Sequence, residues 1–282
     1  KVMLGRIRRE AESITINGSG VQGVQSVGMN YSSTAGPLSS LGLNGVDGPV
    51  YAPQGPQTAS LQVNTLFTHK IPSSAHALSE NFFLNFTGDV PFSGQVKYGT
   101  KNFLFKRAYV NDYSVSCAIG EIPQISTNSI VFGELGTGDI VLPTPIVPEP
   151  QELAIPGYSS IELNLDEFVT NRVSSFNVNI STPRIPIYAL NGDEPTTVIA
   201  GNPVVVGVSF ALEVDDYEIK NMRFVRNETV FRNTTITLKK NNSDTTLLTY
   251  SFDNMLVTSE GFQGDVGSNA VANFSLSSSI IT

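Results

Sequence analysis

Tryptophan is absent from this chain of 282 residues, cysteine occurs once and histidine twice. A lone Cys117 excludes an intrachain disulfide. It lies in the alternating run VSCAI at 115–119, where a small buried strand residue is expected in preference to a reactive thiol. His69 and His76 have no cysteine or further histidine at zinc-ligand or triad spacing, so positions on a loop or a helix surface are expected for both. Charge is also scarce, at 15% of residues, with 17 Lys and Arg against 25 Asp and Glu and a net charge of −8. That shortage of positive charge excludes a static nucleic-acid binder, which needs cations to displace counterions from phosphate. It does not exclude a surface past which nucleic acid slides, since like charge prevents sticking. No run approaches the roughly 18 apolar residues that span a bilayer, and no apolar stretch near the start resembles a signal peptide. The chain begins with Lys1 in place of Met, which points to processing or trimming. Lys1, Arg6, Arg8 and Arg9 read as a solvated tail, with a docking arm as the alternative.

Hydrophobic residues make up 40% of the chain, enough for each half to bury a core, and the remainder is dominated by Ser, Thr, Asn and Gly. The most informative pattern is an internal repeat with a period of about 148 residues. Residues 24–31 (VQSVGMNY) answer 173–180 (VSSFNVNI), with Val24, Val27, Met29 and Tyr31 in phase with Val173, Phe176, Val178 and Ile180. Residues 37–41 (PLSSL) fall on 186–190 (PIYAL), 13–17 (SITIN) on 160–164 (SIELN), and 56–63 on 203–210. A period of this length is too long for a solenoid unit and indicates two copies of a whole module.

Alternating apolar and polar residues, rich in β-branched and aromatic types, predict strands over 13–17, 25–32, 59–67, 95–98, 103–110 and 129–133. The second half repeats them over 161–165, 173–180, 204–212, 234–238, 247–252 and 270–277. Each half accommodates one short helix at the same point, over 73–85 and 215–222, the latter capped by Asp215, Asp216 and Glu218. Each half then ends in a hairpin-like pair. Between the halves, Pro143, Pro145, Pro148 and Pro150 cannot join a helix or central strand. They predict an extended linker, with an edge arm packed on a neighbouring surface as the alternative reading. The expected division is a first β domain with an N-terminal arm at 1–135, a Pro-rich linker at 136–158 and a second β domain at 159–282. The expected fold is mainly β with one short helix per repeat, as two tandem β-sandwich or partial-barrel domains.

The strand at 24–31, the single central helix and the closing unit 255–276 (MLVTSEGFQGDVGSNAVANFSL) together resemble the tail tube proteins of long-tailed bacteriophages. The resemblance covers about 12–135 and 159–278 and rests on patterns, with no invariant motif. It implies a small β-sandwich or partial barrel with one flanking helix. Six such domains close into a ring, and rings stack into a tube that conducts DNA. With two copies per chain, the implied assembly is a trimer with pseudo-sixfold symmetry, a homo-oligomer of stacked rings in contact with other tail proteins. It would be located in the virion tail after synthesis in the host cytoplasm, with no membrane insertion, and DNA would pass without specific binding. A specialised ring at the tail end or baseplate is the near alternative. Glu121, Glu260 and Asp265, in the closing hairpins, are the candidate lumen-facing acidic residues. The Gly- and Pro-rich stretches 42–57 and 191–203 are candidate arms to the next ring, or ordinary surface loops.

Other motifs carry less. Residues 18–23 match G-x-G-x-x-G, but a dinucleotide site needs a helix next and 24 onward reads as a strand. Asp215, Asp216 and Glu218 lack the spacing of a Ca²⁺ loop. Eight N-x-[ST] sequons, among them Asn85, Asn227 and Asn233, follow from abundant Asn, Ser and Thr. No catalytic, cofactor or metal residues are expected, and the chain reads as a structural protein. Two rival classes remain: a receptor-binding or decoration protein of two β-sandwiches, and an enzyme that places two carboxylates in a cleft.

Overall fold

The computed structural model describes residues 11–21, 23–32, 35–38, 50–53, 58–70, 88–98, 101–137, 151–166, 168–190, 194–214, 231–264, 266 and 269–280. The expected helices at 73–85 and 215–222, and all four linker prolines Pro143, Pro145, Pro148 and Pro150, lie outside them. Among the described residues there is no helix. The structure is mainly β, and every pairing is antiparallel.

The first half supplies β1 (Ala11–Ile16), β2 (Ser19–Val21), β3 (Val24–Ser32), β4 (Ala35–Leu38), β5 (Val50–Pro53), β6 (Thr58–Leu66), β7 (Thr68–Lys70), β8 (Phe92–Tyr98), β9 (Lys101–Ala118), β10 (Gln124–Val131) and β11 (Leu135–Thr137). After β12 (Gln151–Leu153), the second half supplies β13 (Ile161–Leu165), β14 (Phe168–Thr170), β15 (Val173–Ser181), β16 (Arg184–Tyr188) and β17 (Pro195–Ala200). It continues with β18 (Val204–Val214), β19 (Phe231–Lys239), β20 (Thr246–Gln263) and β21 (Ala270–Ile280). Each expected strand overlaps one of these. The strand expected over 103–110 continues to Ala118 as one 18-residue strand, β9, and β20 has the same length.

The pairings repeat. In the first half β1 pairs with β2 and β8, β3 with β6, β4 with β5, β8 with β9, β9 with β10, and β10 with β6. In the second half β13, β14, β15, β16, β17, β18, β19, β20 and β21 take these places in the same order, pair for pair. Irregularities repeat as well. A bulge between Val24 and Ser26 is matched between Val173 and Ser175. Register shifts opposite Asn128 and Ser129 in β9 and between Val257 and Ser259 in β20 fall at matching points. Bulges re-aim a strand and increase its twist, so each long strand can serve two stretches of sheet.

The bend of each long strand is held by the same hydrogen bonds. Asn17 N–H donates to Ser93 O at 2.8 Å, Ser93 N–H to Asn17 Oδ1 at 3.0 Å, and Arg107 N–H to Ser93 Oγ at 3.1 Å. In the second half Asp166, Asn233 and Asn254 make the same three bonds at 3.0, 2.9 and 2.9 Å. Asn17 and Asp166 have φ of 48° and 55°, and Arg107 and Asn254 both have φ of 54°. Asn and Asp tolerate this left-handed region because their short side chains bond locally.

The two strand sets are not separate bodies. β9 pairs with β15 over Asp112–Ala118 and Ser175–Ser181, and this joins both sets into one 15-stranded sheet. One apolar cluster runs through both, from Ile14, Phe92 and Phe105 through Tyr113 and Val178 to Leu238 and Met255. β12 is strapped back on β7, and Gly120 N–H donates to Pro156 O, so the described part of 151–156 is bound to the first strand set.

At the centre of the joint core, the hydroxyls of Tyr113 and Tyr250 meet at 2.7 Å. Both residues are buried, and burial raises both pKa values, that of Tyr113 to about 12. Replacing either tyrosine with Phe orphans the other hydroxyl and is expected to cost about 1–3 kcal/mol, whereas the double Phe variant loses less than the sum. Urea denaturation of the three variants measures this. Because the bond crosses between the strand sets, a single cooperative transition is expected in each.

Candidate assembly edges

The junction between the strand sets is built from residues that alternate across β9 and β15. Phe176 lies opposite Cys117, Val178 opposite Val115 and Ile180 opposite Tyr113, all buried on the core face. Burial also raises the Cys117 pKa to about 12, which leaves an unreactive thiol. Thr182 N–H donates to Asn111 O at 2.7 Å, Ile119 N–H to Ser174 O at 2.9 Å, and Ser181 Oγ to Asp112 Oδ1 at 2.7 Å.

A clasp covers this junction. The hairpin β16–β17 places Val198 on Tyr109 and Phe132, whose rings meet edge to face at 6.0 Å. Arg184, on the same hairpin, has a fully buried side chain. Its Nε and Nη2 donate to Val110 O, its Nη1 donates to Gly88 O at 2.8 Å, and its guanidinium lies 5.8 Å from the Tyr109 ring centroid. Asp89 Oδ1 stands 3.5 Å from Nη1 and accepts from Ala200 N–H. Desolvation lowers the Arg184 pKa, and Asp89 opposes that shift. The stretch expected as an arm, 191–203, thus forms β17 in its described part and turns Val198 onto its own chain. Ile185, Ile187 and Ile199 are exposed on the hairpin's other side.

The same strand edges recur unpaired at the two ends of the chain. Among the described residues, β3 is bonded only to β6, although its counterpart β15 lies between β18 and β9. The C-terminal part of β20 is bonded only to β21, although its counterpart in β9 lies between β10 and β15. Burial follows. Phe176, Val178 and Ile180 are 3%, 0% and 8% exposed, whereas Tyr31, the counterpart of Ile180, is 52% exposed and Val27 and Met29 are half-buried. Phe262, the counterpart of the fully buried Val115, is 48% exposed.

Opposite the core, these strands present a polar face that includes Ser26, Gln62, Asn128, Asn177, Ser209 and Ser275, with Asp112 and Glu213 as its carboxylates. β3, β6, β10, β15, β18, β21, residues 112–118 and residues 256–263 contain no Lys or Arg, and their only acids are Asp112, Glu213 and Glu260. A shallow cavity of about 560 Å³ opens between Ser116, Gln124, Asn177, Ser209 and Ser275, with Glu121 at its side.

The residues singled out from the sequence lie apart. Glu121 is exposed in the turn after β9. Glu260 lies opposite Phe274, whose ring stacks on Phe210 at 5.2 Å, and it occupies the position that Tyr113 holds in β9. Burial raises its pKa and Arg232 opposes the shift. Asp265, His76, Asp215, Asp216 and Glu218 lie outside the described residues, as does the His69 side chain. Gly18 turns β1 into β2 at φ of 86°, Gly23 has φ of 69°, and β3 follows where a dinucleotide site requires a helix. Among the described residues no three His, Cys, Asp or Glu side chains converge on a metal-sized site. Sequence reading missed Arg184. Its only signal was one cation in the run TPRIPIY, and pattern alone does not tell a buried cation from a solvated one. No protein-family model matches the chain, and no curated protein matches it significantly.

Replacing Arg184 with Ala takes the side-chain donors from Val110 O and Gly88 O and is expected to cost about 3 kcal/mol. Hydrogen exchange should rise at the junction, in β9, β15 and β16. For Glu260, the folded chain holds the proton more tightly than the unfolded chain does. Stability is therefore expected to fall as pH rises from the ordinary value of 4.5 through the raised one. Urea midpoints measured against pH at low protein concentration should show this fall, and Glu260→Gln should remove it.

Proposed function

We propose that this chain is a virion structural protein that forms the tube of a phage tail. In this reading each strand set, with one short helix at 73–85 or 215–222, is a tube domain. Three chains close into a pseudo-hexameric ring, and rings stack into a channel that conducts DNA. The observation that carries the reading is that the edges joined within the chain are offered again, unjoined, at its two ends. A unit with complementary unlike ends adds head to tail, and the contact closes into a ring when the rotation per unit divides a full turn. Closure pairs the open edges of β3 and of the C-terminal part of β20 and so removes their aggregation hazard.

The face without Lys or Arg fits the wall of a conduit. Capture of a polyanion depends on Lys and Arg releasing counterions from phosphate, and these strands carry neither. Hydroxyl and amide groups keep such a wall wetted without holding a charged strand. A specialised ring at the tail end or baseplate uses the same edges and is the near alternative. A receptor-binding or decoration role is favoured by one observation, the exposed isoleucines of the β16–β17 hairpin.

Particle imaging or mass measurement of the purified assembly tests the proposal, with three copies per ring as the expected result. A monomer in intact particles, or binding of glycans by the isolated protein, overturns it in favour of the second reading. Assemblies carrying Gln62→Arg, Asn177→Arg and Ser209→Arg together should retain DNA at low salt and release it at high salt, whereas the unmodified assembly should retain none.

A further inference from the structure

The junction inside the chain is a template for the contact between chains. We infer that a second copy of this chain docks β3 of one protomer, antiparallel, on residues 259–263 of β20 of the next, in one register. Phe176, Val178 and Ile180 correspond to Val27, Met29 and Tyr31 through the shared pairing of β15 with β18 and of β3 with β6. Tyr113, Val115 and Cys117 correspond to Glu260, Phe262 and Gly264 through the matching register shifts of β9 and β20. Carrying the internal pairs across sets Met29 opposite Phe262, Tyr31 opposite Glu260, Asn30 opposite Gly261 and Gly28 opposite Gln263. The inference rests on the self-association in the proposed function and not on a phage origin.

Three observations support this register. It places the exposed Phe262 against Met29 on the core face, as Val115 meets Val178. It returns Asn30, Gly28, Gly261 and Gln263 to the polar face, so that face continues unbroken between protomers; a slip of one residue would reverse both. β3 also contains no charge and no proline, two of the devices that protect an exposed edge in soluble proteins.

The contact between chains differs from its template at the clasp. The position of Arg184, opposite Ala200, is held in the first half by Ala35, opposite Pro53. Arg107, which faces Glu194 at the internal junction, is matched by Asn254. The contact between chains therefore lacks the buried cation, and it should separate on dilution while the internal junction stays intact.

Disulfide trapping tests the register. A disulfide spans Cα separations below about 7 Å; directly opposite residues are about 4.5–5.5 Å apart and diagonal ones about 7–8 Å. The full-length double variant Asn30→Cys with Gly261→Cys is expected to give oxidised, covalently linked multimers, while Asn30→Cys with Gln263→Cys is expected to give at least tenfold less. Gly28→Cys with Gln263→Cys is a second in-register pair, used if the first variant folds poorly; both glycines have room for a side chain, and buried Cys117 does not compete. Single-cysteine chains should cross-link only when mixed. Rings that assemble without in-register linkage, or that link equally off register, overturn this inference and leave the proposed function standing. Linked multimers that are not three-membered rings overturn the ring and leave the register standing. A chain that stays monomeric at all concentrations overturns both.

Discussion

Antiparallel pairing of the C-terminal part of β9 with β15 is the constraint on which the rest of the molecule depends. It requires β9 to pass from one stretch of sheet to another without a break, which the bulge near Asn111 and the left-handed Arg107 make possible. It places Tyr113 within reach of Tyr250 and so merges two apolar clusters into one. It also brings β16 and β17 over Tyr109 and Phe132, where Val198 and Arg184 close the outside of the joint. Without this ladder the two strand sets would be beads on a proline-rich string. With it they share a core and a continuous polar face.

Repetition makes the cost of the open ends visible. A strand edge between two neighbours has its backbone groups satisfied and its apolar side chains covered, as in β15. The same strand with one neighbour keeps both deficits, as in β3, where Tyr31 stands half in water. Hydrophobic burial and backbone hydrogen bonding both favour filling such an edge. The two ends are unlike, and they carry the counterparts of the two strands that pair within the chain, which is the basis of the proposed self-association. The joint within the chain is held in addition by Arg184, a buried cation whose desolvation is compensated by two carbonyls, and Ala35 takes that position in the first half.

Much of the strand content was legible because side chains alternate with a period of two on a half-buried sheet, and the phase of the repeat survived loss of identity. Val27, Met29 and Tyr31 matched Phe176, Val178 and Ile180 by phase, and the observed registers agree. The continuity of β9 and β20 was not legible. Arg107 is not a residue type that announces a left-handed bend, and the bulge leaves alternation intact on either side. The part played by 191–203 was also hidden, since Pro and Gly mark a turn but do not say which surface the returning strand meets. Glu260 was chosen for its place in a closing hairpin; the extra residue in β20 that sets which face it takes is a matter of backbone geometry.

By itself the sequence determined that the chain is β-rich, duplicated, poor in cations and without disulfides, because these follow from composition and from periodicities that local backbone geometry imposes. Only the tertiary structure decided that the halves share one sheet, that one arginine is buried at their joint, and that β3 and the C-terminal part of β20 each have one neighbour among the described residues. Those outcomes depend on contacts between residues 65 to 140 positions apart, such as Ile180 with Tyr113 and Tyr250 with Tyr113, and no local pattern encodes which distant strand will lie alongside.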